Sequence, residues 1–110
     1  MAIDAKIKRK WLAALRSGKY NRVTGQLAKS KFYAHQGHCC LGVLAEIVDP
    51  EQKTWHGTHG HYGAKDNKSQ CELLGGYISG RKLSKLVDLN DSKGKSFKEI
   101  AKFIAADRFI

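Results

Sequence analysis

The sequence contains a single proline, Pro50, and only ten acidic residues against twenty lysines and arginines. Scarcity of proline, with eleven glycines spread along the chain, argues against a fibrous or disordered polypeptide. Long apolar runs are missing. The longest, Cys39-Cys40-Leu41-Gly42-Val43-Leu44-Ala45, falls far short of the roughly 20 residues that a membrane helix needs. The start, Met1-Ala2-Ile3-Asp4-Ala5-Lys6, has no apolar signal core, so the chain is expected to stay in the cytoplasm in which it is made. Cysteine is sparse and odd in number, at Cys39, Cys40 and Cys71. Adjacent cysteines bridge each other only with strain, so reduced thiols are expected.

At 110 residues the chain reads as one compact domain, 1–110, because two cores would not fit. The net charge of +10 is uneven. Up to position 31 there are nine basic residues and one acid, Asp4, which places +8 of the +10 in that stretch. An uneven basic field attracts polyanions and speeds their encounter. Nucleic acid and an acidic host protein are the partners this implies, with a merely solvated surface as the bland reading.

Apolar periodicity predicts a mainly α fold of three to four packed helices with a small β-hairpin, an α+β arrangement being the alternative. Asp4 caps a first helix running to about Ser17, with Ile7, Trp11 and Leu15 on one stripe and Gly18 as its C-terminal stop. Trp11 reads as a core anchor. Gln26–Ala28 and Lys31–Ala34 suggest a hairpin. Cys40 to about Val48 is apolar nearly all round, which marks a central helix ended by Asp49-Pro50. Residues 51–70 are polar and rich in Gly and His, with short strand pairing expected around Trp55 and Tyr62. Cys71–Ile78 fits a short helix or a strand. Ser79 caps a third helix to about Leu89, with Leu83, Leu86 and Val87 inward, and residues 90–95 form a turn. Ser96 and Glu99 make a capping box for a last helix with Phe97, Ile100, Ala101, Ile104 and Ala105 inward. These last two helices are expected to cover the second.

Three segments carry a resemblance: Trp11-Leu-Ala-Ala-Leu-Arg-Ser-Gly-Lys-Tyr20, Cys39-Cys-Leu-Gly-Val-Leu44 and Leu89-Asn-Asp-Ser-Lys-Gly-Lys-Ser-Phe-Lys-Glu-Ile-Ala101. In order and spacing they resemble a family of small bacteriophage and prophage accessory proteins. The resemblance implies a phage protein acting in the bacterial host cytoplasm. It transfers no activity and no catalytic residue.

Several constellations bear on chemistry. Cys39, Cys40 and Cys71 with His35, His38, His56, His59 and His61 supply zinc-ligand types, but no Cys-x-x-Cys occurs and the spacings fit no standard site. Cys39 or Cys40 at a helix start, with His61 as base, outlines a cysteine nucleophile; the apolar helix behind them favours burial. Gly94-Lys95-Ser96 ends like a phosphate loop, but Leu89 stands where that motif needs its first glycine. A helix-turn-helix beginning at Ser96 would need a recognition helix for which the residues to Ile110 leave no room. Using the preceding helix would need a six-residue turn, longer than usual, so major-groove reading is a minor expectation. The remaining signal is anion binding by Lys8, Arg9, Arg16, Lys19, Arg22, Lys29 and Lys31, with Tyr20 interleaved among them (and Tyr33 beside Lys31) to stack on bases. The expectation is therefore a binding protein for nucleic acid or an acidic host protein, without catalysis, metal or cofactor. A thiol- or zinc-dependent enzyme built on Cys39, Cys40 and the His-rich loop is the alternative.

Overall fold

The computed structural model describes residues 3–23, 28–29, 37–51, 55–56, 59–60, 64–65, 70–73, 76–108 and 110, with the backbone alone at 28–29, 55–56, 59–60, 64–65, 70–73 and 76–77. The fold is mainly α. Four helices, α1 (Ala5–Arg16), α2 (Cys40–Val48), α3 (Gly80–Val87) and α4 (Phe97–Ala106), enclose one hydrophobic core. Short antiparallel strands lie between α1 and α2 and between α2 and α3.

Local chemistry sets the helix ends. The Asp4 carboxylate accepts from the N–H groups of Lys6 (2.8 Å) and Ile7 (3.4 Å), satisfying donors that the first turn of α1 leaves open. Beyond Ser17, Gly18 takes φ +78°, where a side chain would be strained. Ser79 caps α3 through the Lys82 N–H. Ser96 and Glu99 form the reciprocal capping box of α4, as the sequence predicts.

Trp11, Leu15, Val43, Leu44, Ile78, Leu86, Ile100 and Ile104 are sealed from solvent, and α2 is the most enclosed helix. Trp11 anchors α1 to α2: its indole Nε1–H donates to the Cys40 carbonyl at 2.9 Å, so the ring is buried with its one polar group satisfied. α4 lies chiefly against α1, while α3 packs on α2. The expected pair of final helices over α2 is thus divided between two partners. Ala105 is exposed rather than inward, and so is Val87, at 44%. Each residue turns 100° about the helix axis, and with Leu86 directed into the core its neighbour is carried out to the surface.

The strands correct the sequence reading in register. β1 (Ala28–Lys29) pairs with β2 (Gly37–His38), Ala28 opposite His38, and the expected partner segment Lys31–Ala34 lies outside the described residues. Asn21–Val23 runs along the other side of β2, with His38 N–H to Asn21 O at 2.7 Å and Val23 N–H to His38 O at 2.9 Å. β3 (Trp55–His56) pairs with β4 (His59–Gly60), so the partner of Trp55 is Gly60. β5 (Ala64–Lys65), β6 (Gln70–Leu73) and β7 (Gly76–Ser79) form a three-stranded sheet, so 71–73 and 76–78 are strand rather than helix, and β7 runs straight into α3.

The predicted turn at 90–95 begins earlier, as a widened helical turn over Asp88–Ser92. Lys93 N–H bonds the Asp88 carbonyl at 2.8 Å, five residues back, and Gly94 (φ +61°) then reverses the chain. The widening carries Asn90 into the interior, where it is fully buried.

Candidate functional site

On α1 the apolar stripe faces the core, and Lys6, Arg9, Lys10, Ala13 and Arg16 occupy the outer surface, all exposed. No described residue forms an ion pair with any of these four cations. At the start of the helix the Asp4 carboxylate is engaged by the first-turn amides, and Asp107, whose carbonyl Lys8 reaches, has its carboxylate held by Lys82. Arg16 in the last turn also complements the helix dipole.

The residues singled out from sequence divide into two groups. Arg9, Arg16 and Lys19 are exposed and unengaged among the described residues. Lys8 is half-buried and donates from Nζ to the Asp107 carbonyl at 2.7 Å, closing the C-terminus of α4. Arg22 donates from Nη1 to the Asn90 carbonyl at 2.5 Å. Tyr20 is half-buried, edge-on to the His38 ring at a centroid distance of 5.0 Å, and so is tucked against the protein rather than presented for stacking. Lys29 is described only as backbone in β1, and Lys31 and Tyr33 lie outside the described residues. Lys6 and Lys10 belong to the exposed face although the candidate set omits them. Helical phase carries the signal: they stand seven and three residues before Ala13, which lies on the surface opposite Trp11.

The thiol cluster is a packing node. Cys39 caps α2, its Sγ accepting from the Gly42 N–H at 3.4 Å, and Cys40 Sγ lies 3.7 Å from the Leu86 carbonyl. Burial pushes both thiols above their ordinary pKa, Cys40 strongly, which keeps them protonated near neutrality. Beside them Asn90 joins three segments. Its Oδ1 accepts from Cys40 N–H (3.2 Å), and its Nδ2 donates to Val23 O (2.8 Å) and Asp91 Oδ1 (2.7 Å). Every polar atom of that buried amide has a partner. The sequence reading missed this role, because Asn90 sits in a stretch whose composition signals only a turn.

Among the described residues no three His, Cys, Asp or Glu side chains gather as metal ligands. His38 Nε2 stands 3.4 Å from Glu46 Oε2. His35 and His61 lie outside the described residues, and His56, His59 and Cys71 are described as backbone only. A shallow depression at the end of α4 is lined by Lys82, Phe103, Ala106, Asp107 and Arg108, with Asp107 held by Lys82. Among the described residues no helix is long and apolar enough to cross a membrane.

No curated protein and no solved structure matches the chain. A family model described as "Domain of unknown function (DUF8296)" matches residues 3–74, the span from the start of α1 to just beyond β6. That match takes in more than half of the chain, including the cationic helix and both buried thiols, and the protein therefore belongs to the DUF8296 family.

Proposed function

We propose that this protein is a non-enzymatic binding protein that engages an anionic macromolecule through the outer face of α1. One observation carries the reading: Lys6, Arg9, Lys10 and Arg16 are exposed together, and no acid among the described residues neutralises them. Cations held on a rigid helix without protein partners gain by displacing counterions from a polyanion. The buried, protonated state of Cys39 and Cys40 favours binding over thiol chemistry. Nucleic acid and an acidic host protein are the two partner classes. A role for a phage in the bacterial cytoplasm rests on the likeness of the three sequence motifs alone.

The test is a titration of the full chain against labelled nucleic acid and against polyglutamate at low salt, repeated with Lys6, Arg9, Lys10 and Arg16 all changed to Glu. Binding to at least one polyanion, weakened about tenfold or more in the variant, is expected. A chain that binds neither, or a variant that binds as the parent does, overturns the proposal.

A further inference from the structure

We infer that α4 completes the face begun by α1, and that the two helices together grip the backbone of double-stranded nucleic acid without reading its bases. This rests on the binding proposal above and specifies its ligand.

The two helices are antiparallel. Lys8, near the start of α1, reaches Asp107 at the end of α4, while Arg22, beyond the end of α1, reaches Asn90 ahead of α4. The row Lys8, Leu12, Arg16 follows the i, i+4 ridge of α1 and therefore runs along α4 towards its first turn. Arg16 ends that ridge, and Arg9 flanks it on the solvent side. On α4, Ala101 is fully buried, and Lys98 and Ala105 stand three before and four after it, on the same flank. Helix handedness and the antiparallel pairing turn this flank to α1. Lys98 and Lys102 are both exposed. Packed helices lie about 8–10 Å apart, so Arg9, Arg16, Lys98 and Lys102 form one patch, which Lys6 and Lys10 extend across α1.

The described acids of α4 are engaged within the protein. Glu99 projects on the other flank of α4, where it caps Ser96 and meets Lys95 at 3.6 Å, and Asp107 is held by Lys82.

Three features select duplex backbone over other polyanions. Single strands are held by aromatic platforms, and among the described residues this face offers none: Trp11 is fully buried, Phe97 is 8% exposed, and Phe103 lies half-buried on the far flank of α4. A protein partner would need apolar anchors for a dry interface centre, yet the one exposed large hydrophobic among the described residues is Val87 on α3. A single helix fills a major groove about 12 Å wide, so two helices side by side cannot enter it and must lie across phosphates instead. The exposed Ala13 and Ala105 keep the surface between the cations low enough for close approach.

The experiment is fluorescence anisotropy of the full chain with a mixed-sequence duplex of about 20 base pairs, its single strand and polyglutamate, across a salt series. Arg9→Glu/Arg16→Glu and Lys98→Glu/Lys102→Glu are compared with Arg81→Glu/Lys85→Glu on α3, with circular dichroism confirming the fold of each. The duplex should bind most tightly and without sequence preference. Both α1 and α4 variants should lose about tenfold or more in affinity and flatten the log–log salt slope by about 2, while the α3 variant stays within about twofold. If only the α1 variant is defective, α4 is not part of the face and this inference fails while the binding proposal stands. If single strand or polyglutamate binds as tightly as duplex, the ligand assignment is overturned. Loss of affinity in the α3 variant equal to that of the α4 variant would show that net charge, not this face, governs binding.

Discussion

The first turn of α2 and the outer surface of α1 are both polar, and they use their polar groups in opposite ways. Around Cys40, each polar group of Asn90 is buried and paired, to α2, to the segment after α1 and to the neighbouring Asp91. On α1, four cations are exposed and engage no described residue. Polar groups consumed by the fold answer to stability, and those left over are available to a ligand. The boundary between the two classes passes through the basic residues themselves, since Lys8 and Arg22 belong with Asn90.

Removing the Asn90 amide tests the buried side most severely. Asn90→Ala leaves the Cys40 N–H and the Val23 carbonyl unpaired in the interior and should cost about 2–4 kcal/mol, read as a lower urea midpoint. The thiols give the next effect. Because burial raises the folded-state pKa of Cys39 and Cys40, the unfolded chain loses thiol protons first as pH rises. The stability from these protonated thiols is complete below the ordinary thiol value of 9.0 and declines above it, towards the higher folded pKa values. Denaturation midpoints should fall above that pH, and Cys40→Ala should flatten the decline. A peptide carrying Cys39 and Cys40 should resist iodoacetamide in native protein near neutrality and label readily in urea.

Smaller effects mark the boundary. Lys8→Ala should cost about 1 kcal/mol by freeing the Asp107 carbonyl, yet change polyanion affinity by less than about twofold. Arg9→Glu with Arg16→Glu should do the reverse, altering stability by under about 1 kcal/mol while weakening binding about tenfold or more. If Lys8 and Arg9 variants behaved alike in both assays, the division between structural and available cations would collapse.

The stretch from Tyr20 to His38 shows why sequence reading faltered there. Its residues carry no helical period, so pairing of Gln26–Ala28 with Lys31–Ala34 rested on turn residues alone. Among the described residues Ala28–Lys29 pairs with Gly37–His38, which is also flanked by Asn21–Val23. Strand register depends on which neighbours are present, and a slip exchanges the sheet faces without leaving a trace in composition. Val87 shows a finer failure: apolar character placed it inward, whereas the helix phase that buries Leu86 exposes it. The cationic face was half legible. Arg9 and Arg16 are in the candidate set, whereas Lys6 and Lys10, which helical spacing also places off the apolar stripe, are not.

What the sequence by itself determined are the features that need only near neighbours: the α1, α2 and α4 spans, the Asp4, Ser79 and Ser96–Glu99 caps, the Gly18 stop and the Trp11 anchor. Each depends on a few consecutive residues or on a period of 3.6, and both are written locally. The tertiary structure alone decided that Lys8 closes α4, that Arg22 and Asn90 meet, that Tyr20 folds onto His38 and that α4 lies beside α1. Those contacts join segments far apart in the chain, so a lysine bound into the fold and a lysine open to solvent are written with the same letter.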